Sequence, residues 1–182
     1  MFQGKLCKHF VTMQDRFTCY LVAVPVESID AATLAETIVT KWIYVFACPE
    51  VIHTDRGSAF TSKLFQEVMD RLGIVKTVMP SYSPQGNSIE RAHRVLGDIL
   101  RSDQRCGAKD WPEKLLAGVM AYNTAENRVT GITPYMAVFG MAPILPADLI
   151  FPLPKKEMVS FSTYGFIFYL CGEFETTFPA YL

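Results

Sequence analysis

The chain has 182 residues, with 17 lysines and arginines against 18 aspartates and glutamates, and a net charge of −1. That length leaves room for one domain with a true core plus a tail, and a composition that is 50% apolar excludes a disordered chain. The charge balance excludes a nucleic-acid module built on bulk positive charge, so any contact with a polyanion has to come from a local patch.

The amino-terminal stretch "MFQGKLCKHF" lacks the apolar core of a signal peptide. Residues 10–26, "FVTMQDRFTCYLVAVPV", read as two strands joined around Asp15-Arg16, rich in β-branched and aromatic residues. Residues 28–46 follow a helical pattern, with Ser28 or Asp30 as cap and Leu34, Ile38, Trp42 and Val45 as the inward stripe. "EVIHT" is a short strand. Ser62 opens a helix whose apolar face is Leu64, Phe65, Val68, Met69 and Leu72, and Gly73 stops it. "IVKTVMP" is a further strand ended by Pro80, and "SYSPQG" a polar loop. Helices are expected over roughly 87–102, over 111–127 and over 133–140. From about residue 151 the periodicity fades, so the chain divides into a domain over 1–150 and a divergent tail over 151–182. Strands alternating with helices make this an α/β layered domain.

The five cysteines have no CxxC spacing, which excludes a zinc knuckle or redox pair and fits a reducing compartment. The most apolar tail stretch, "YGFIFYLCG", is far shorter than the roughly 18 residues a membrane span needs. The expectation is an intracellular chain with no membrane partner.

Two acids carry the chemical interest. Asp55 stands where the strand "VIHT" gives way to "DRGS", a place where ordinary turn chemistry also puts an aspartate. Glu90 lies in the first turn of the helix that follows "SYSPQG"; Asn87 as N-cap with Glu90 three residues on is also a capping box. Taken together, a carboxylate at a strand's carboxyl end and another in the first turn of a neighbouring helix can converge on a divalent ion. Two-metal chemistry on phosphodiesters uses such oxygen ligands.

The motifs "IHTDRGSAFTS", "YSPQGNSIERAHRVLGDIL", "DWPEKLLAGVMAYNTA" and "TGITPYMAVFGMAPILP", in this order, closely resemble the integrase catalytic core of retroviruses and long-terminal-repeat retrotransposons of the gypsy-like group. The resemblance runs from about residue 9 to 150 and implies a ribonuclease-H-like mixed sheet flanked by helices. It implies an Asp–Asp–Glu triad holding Mg²⁺ or Mn²⁺ for 3′ processing and strand transfer of DNA ends, with Asp55 as the second acid and Glu90 as the third. The first acid has no counterpart: Asp15 falls on what resembles the second and third strands, and no Asp or Glu precedes it. The first strand of the family sheet is therefore expected to be absent, and Asp15 to be a turn residue or, less simply, a substitute ligand.

By the same resemblance Tyr82 and Gln85 of the loop contact a DNA end, though Tyr82 equally suits the edge of a core. Asn87 offers a further uncharged donor and acceptor there, and Arg91 and Arg94 on the helix are candidates to contact phosphates beside the metals. Arg94 is also four residues from Glu90, so an intrahelical ion pair is the competing reading. Asn123 and Thr124 resemble a "YN" element that maintains the fold. His93 is expected to be structural or phosphate-facing. The resemblance implies assembly into dimers or larger oligomers, and nuclear location when acting on DNA. Two functions follow: an integrase-core fragment related to metal-dependent DNA integration, or a degenerate or domesticated core that binds nucleic acid or a protein partner without catalysis. Whether this chain is an enzyme stays open at this point.

Overall fold

Residues 7–78, 87–102, 110–128, 130–150 and 179–181 are described in a computed structural model. The β-branched opening folds as a hairpin. Strand β1 (His9–Asp15) runs antiparallel to β2 (Leu21–Val26), in register from His9–Val26 to Gln14–Leu21. Asp15 makes the turn between them: its Oδ2 accepts the Thr18 amide at 2.7 Å and the Thr18 hydroxyl at 2.6 Å. The turn reading of Asp15 therefore holds.

Alternation along β1 divides the molecule into two cores. Val11 and Met13 lie in one with Leu34, Ile38, Trp42, Ile52, Phe65 and Met69. The opposite face carries Phe10, which packs on a second core of Leu21, Ala23, Ala92, Leu96 and Leu115. Helices thus cover both faces of the sheet.

The first core is roofed by helix α1 (Ala31–Ile38), a π-helical stretch Val39–Ile43, and the short α2 (Tyr44–Phe46). Asp30 is the N-cap, accepting the Thr33 amide at 2.9 Å. The Ser28 hydroxyl first, then Thr33, pull the Asp30 carboxyl down to about 2. The expected inward stripe fails at its last member, for Val45 is 62% exposed while Leu34, Ile38 and Trp42 are buried. The π stretch widens the helix by one residue per turn, so a position chosen at a spacing of 3.6 rotates off the covered face.

Strand β3 (Val51–Thr54) follows, then α3 (Lys63–Leu72), whose N-cap Ser62 accepts the Phe65 amide at 3.2 Å. Gly73 ends α3 with φ 72°, the left-handed conformation a side chain resists. Phe65 and Met69 are fully buried, whereas Leu64 and Leu72, expected on the inner face, are 49% and 37% exposed. Periodicity gives the direction of the buried stripe but not its width, and these two leucines flank it.

Strand β4 (Val75–Val78) pairs parallel with β3. Helix α4 (Asn87–Ser102) and helix α5 (Trp111–Thr124) pack against each other over the second core. They touch closely at Gly118, where an added Cβ would lie 3.3 Å from both Leu96 and Ile99. Short helices α6 (Pro134–Phe139) and α7 (Pro146–Ile150) follow; the second was not expected from the sequence. No helix among the described residues is long and apolar enough to cross a membrane.

The tail supplies one described strand, β5 (Pro179–Tyr181), and its place is central. The sheet order is β2-β1-β5-β3-β4, with β5 antiparallel to β1 and parallel to β3.

Candidate functional site

Asp55 is the first residue beyond β3, at the end where the chain leaves the sheet. Its Oδ1 accepts the Gly57 amide at 2.8 Å, an Asx-type turn that fixes the carboxylate while leaving it exposed. A Cβ on Gly57 would stand 2.9 Å from that same oxygen, so glycine keeps the space beside the carboxylate clear. The turn reading and the ligand reading of Asp55 are therefore compatible, since a single oxygen makes the turn.

Glu90 lies in the first turn of α4 and is exposed. Asn87 is the first residue of α4, one step inside the expected cap position, and an acid in this turn is favoured by the helix dipole. The Glu90–Arg94 ion pair, one of the two readings of Arg94, is not formed among the described residues. The ion pair on α4 joins Arg101 to Asp98 at 2.8 Å, one turn from the other end.

His93 feels both acids electrostatically. Partial burial of the imidazole, on a residue that is otherwise exposed, holds it below the ordinary histidine range, and Asp55 and then Glu90 pull in the opposite direction. Both carboxylates therefore act on one ring. The ring is anchored to the sheet: Nε2 shares a hydrogen bond with Thr12 Oγ1 at 2.6 Å, and Phe10 meets it edge-on at 6.4 Å. His93 thus links α4, which carries Glu90, to β1. Sequence reasoning placed His93 as structural or phosphate-facing; the Thr12 partner, 81 residues away, had no local signal.

His53 lies within β3, two residues before Asp55. Its Nδ1 shares a hydrogen bond with Thr77 Oγ1 of β4, and its pKa is lowered by burial and by Arg16. Of the cations on α4, Arg91 and Arg94 are both exposed. Arg91 acts electrostatically on Cys19 and Tyr122, toward the β1–β2 turn. Tyr82 and Gln85 lie outside the described residues.

The donor set suits a hard divalent cation in part. Two exposed carboxylates, one held by a backbone amide with open space beside it, are the oxygen ligands Mg²⁺ takes, with water completing its shell. Among the described residues no group of three metal-ligating side chains is present. These residues fit one ion, and a pair would need a further ligand.

The integrase core domain family matches residues 2–84. A retrovirus-related Pol polyprotein from transposon 412 of Drosophila melanogaster is 29% identical over 140 residues, covering 76% of this chain. The Pol polyprotein of feline endogenous virus ECE1 is 30% identical over the same length and share. The chain carries an integrase core domain of the retroviral and retrotransposon type. The crystal structure of the catalytic core domain of BIV integrase superposes with a TM-score of 0.58 at 26% identity, over 69% of this chain and 82% of that one. The integrase core fold is thus the ribonuclease-H-like one, with its mixed sheet between helices. This chain spans 11% and 13% of the length of the two polyproteins.

Around the site, the integrase core is held by a conspicuous amide clamp. Asn123 of α5 accepts the Leu21 amide at 2.8 Å and donates to the Leu21 carbonyl at 2.7 Å, with only 3% of the residue exposed. This is the fold-maintaining role expected of the "YN" element.

Proposed function

We propose that this chain is an integrase-core fragment acting in DNA integration, through phosphodiester chemistry at DNA ends. The observation that carries the reading is the integrase core match, within which Asp55 stands at the end of β3. In its support, Asp55 and Glu90, the latter in the first turn of α4, both act electrostatically on His93. Asp55 and Glu90 would hold Mg²⁺ or Mn²⁺, which supplies charge neutralisation at a phosphate and a lowered pKa for bound water. The protein's own share is positioning. Gly57 fixes the Asp55 carboxylate, and the Thr12–His93 link ties α4, which carries Glu90, to β1. Arg91 and Arg94, exposed on α4, would take up phosphates, with Tyr82, Gln85 and Asn87 contacting the DNA end. The reaction is in-line attack on a phosphodiester by water and then by a DNA 3′-hydroxyl, with no covalent protein intermediate. DNA is the partner, together with further copies of the chain, and the nucleus is the place of action.

A second reading, a core that binds nucleic acid or a protein without cutting DNA, is favoured by the two-acid donor set. One experiment separates them. The chain is incubated with a labelled DNA-end duplex and target DNA in Mg²⁺ or Mn²⁺, beside Asp55→Asn and Glu90→Gln. Metal-dependent processing or joining that disappears in both variants, by about a hundredfold or more as for loss of preorganised charge stabilisation, supports catalysis. Duplex binding without any cleavage, unchanged in both variants, supports the second reading.

A further inference from the structure

The centre of the sheet is made by its most distant segment. Pro179–Tyr181 stands between β1 and β3, pairing Tyr181 with Gln14 and Ala180 with Asp15 on one side. On the other side Pro179, Ala180 and Tyr181 pair with Val51, Ile52 and His53. Neighbouring strands lie about 4.8 Å apart, so β1 and β3 are separated by roughly twice that distance. Such a gap is too wide for the two strands to bond each other and too narrow for a helix about 10 Å across. Only an extended backbone fits it. Peptide groups line both walls, and leaving them without partners would be costly.

The two walls hold the two halves of the site. β1 carries Thr12, which anchors His93 and through it α4 with Glu90. β3 ends at Asp55. The strand between them therefore sets the separation of the two acids. It is a spacer as well as a closure.

We propose that the slot between β1 and β3 is a strand-acceptor site, that its occupant is the chain's own Pro179–Tyr181 segment, and that this strand is the positioning element holding Asp55 and Glu90 at their working distance. The strand-acceptor part rests on backbone pairing alone; only the positioning part rests on the function proposed above.

The test compares Ala180→Pro, which removes a ladder donor from the middle of the sheet, with Ala180→Val, which keeps the donor and favours a strand. The readout is amide hydrogen exchange over Val51–Thr54 and Gln14–Asp15, with the urea midpoint beside it. Ala180→Pro is expected to accelerate exchange at these amides about tenfold or more, the effect of one unmet peptide partner, and to lower the midpoint. Ala180→Val is expected to match the unsubstituted chain. An Ala180→Pro chain that fails to fold while Ala180→Val folds also supports the strand. Unchanged exchange and midpoint in Ala180→Pro overturn the proposal, as does failure of Ala180→Val to fold. A dimer of the unsubstituted chain that Ala180→Pro dissociates would assign the slot to a second copy and overturn the in-chain occupant. Mn²⁺ affinity, read by titration calorimetry, then tests the spacer separately. It should fall in Ala180→Pro and stay in Ala180→Val, and equal affinity in folded variants overturns positioning while leaving the strand in place.

Discussion

Single residues decide more here by what they satisfy than by what they add. Asn123 is the clearest case, because both polar groups of its amide are used on the backbone of Leu21, where β2 begins. Asn123→Ala would leave a buried N–H and a buried C=O without partners, at a cost of about 3 kcal/mol. Urea denaturation checks this; a loss below about 1 kcal/mol would mean that water enters and replaces the side chain. Asn123 was legible in the sequence because it came with a recognisable motif. Asp55 was legible for the same reason, and its turn could be read directly from Asp-Arg-Gly. The role of His93 could not, since it depends on Thr12, a residue with no sequence feature to mark it. Arg94 shows the limit from the other side: spacing allowed a pair with Glu90, yet both side chains stay in water, where such a pair contributes only about 0.3 kcal/mol.

At the scale of elements, the strands β1 to β4 and helices α1, α3, α4 and α5 were readable because each has a continuous apolar pattern of one period. Errors fell where the period changes or the buried arc narrows. The π stretch put Val45 outside, and the edges of the α3 stripe left Leu64 and Leu72 in solvent. The joint between α4 and β1 makes a testable statement about pH. Burial keeps the folded pKa of His93 below its ordinary 6.5, and His53 is shifted the same way. The unfolded chain then binds protons more readily than the folded one as pH drops through that value. The stability associated with neutral His93 is therefore complete above about pH 6.5 and lost as pH falls below it. Urea midpoints measured in metal-free buffer from pH 8 to pH 5 should decline in the unsubstituted chain and decline less steeply in His93→Gln. Parallel curves would show that the imidazole stays solvated.

For the whole molecule, charge and topology set the terms. With a net charge of −1, affinity for duplex DNA has to come from a local patch, and the exposed Arg91 and Arg94 on α4 are the phosphate contacts proposed here. Each phosphate contact contributes about −0.9 to the slope of log affinity against log salt, so a slope of about −2 is expected. Arg91→Gln and Arg94→Gln should each reduce it by about 0.9, read by fluorescence anisotropy. A slope much steeper than this in the unsubstituted chain would place further cations on the DNA. The topology was the least legible feature, because "PAY" has no strand pattern of its own and gains its conformation from the walls it meets. That has a consequence for biosynthesis. A ribosome makes β1, β2, β3 and β4 well before it reaches Pro179, so two half-sheets with facing open edges must wait for the segment that joins them. Long-range pairing of this kind is slow, and exposed strand edges invite association between nascent chains. The yield of native protein would then be governed by the interval between emergence of β4 and emergence of residue 181, and by whatever chaperone shields the open edges meanwhile.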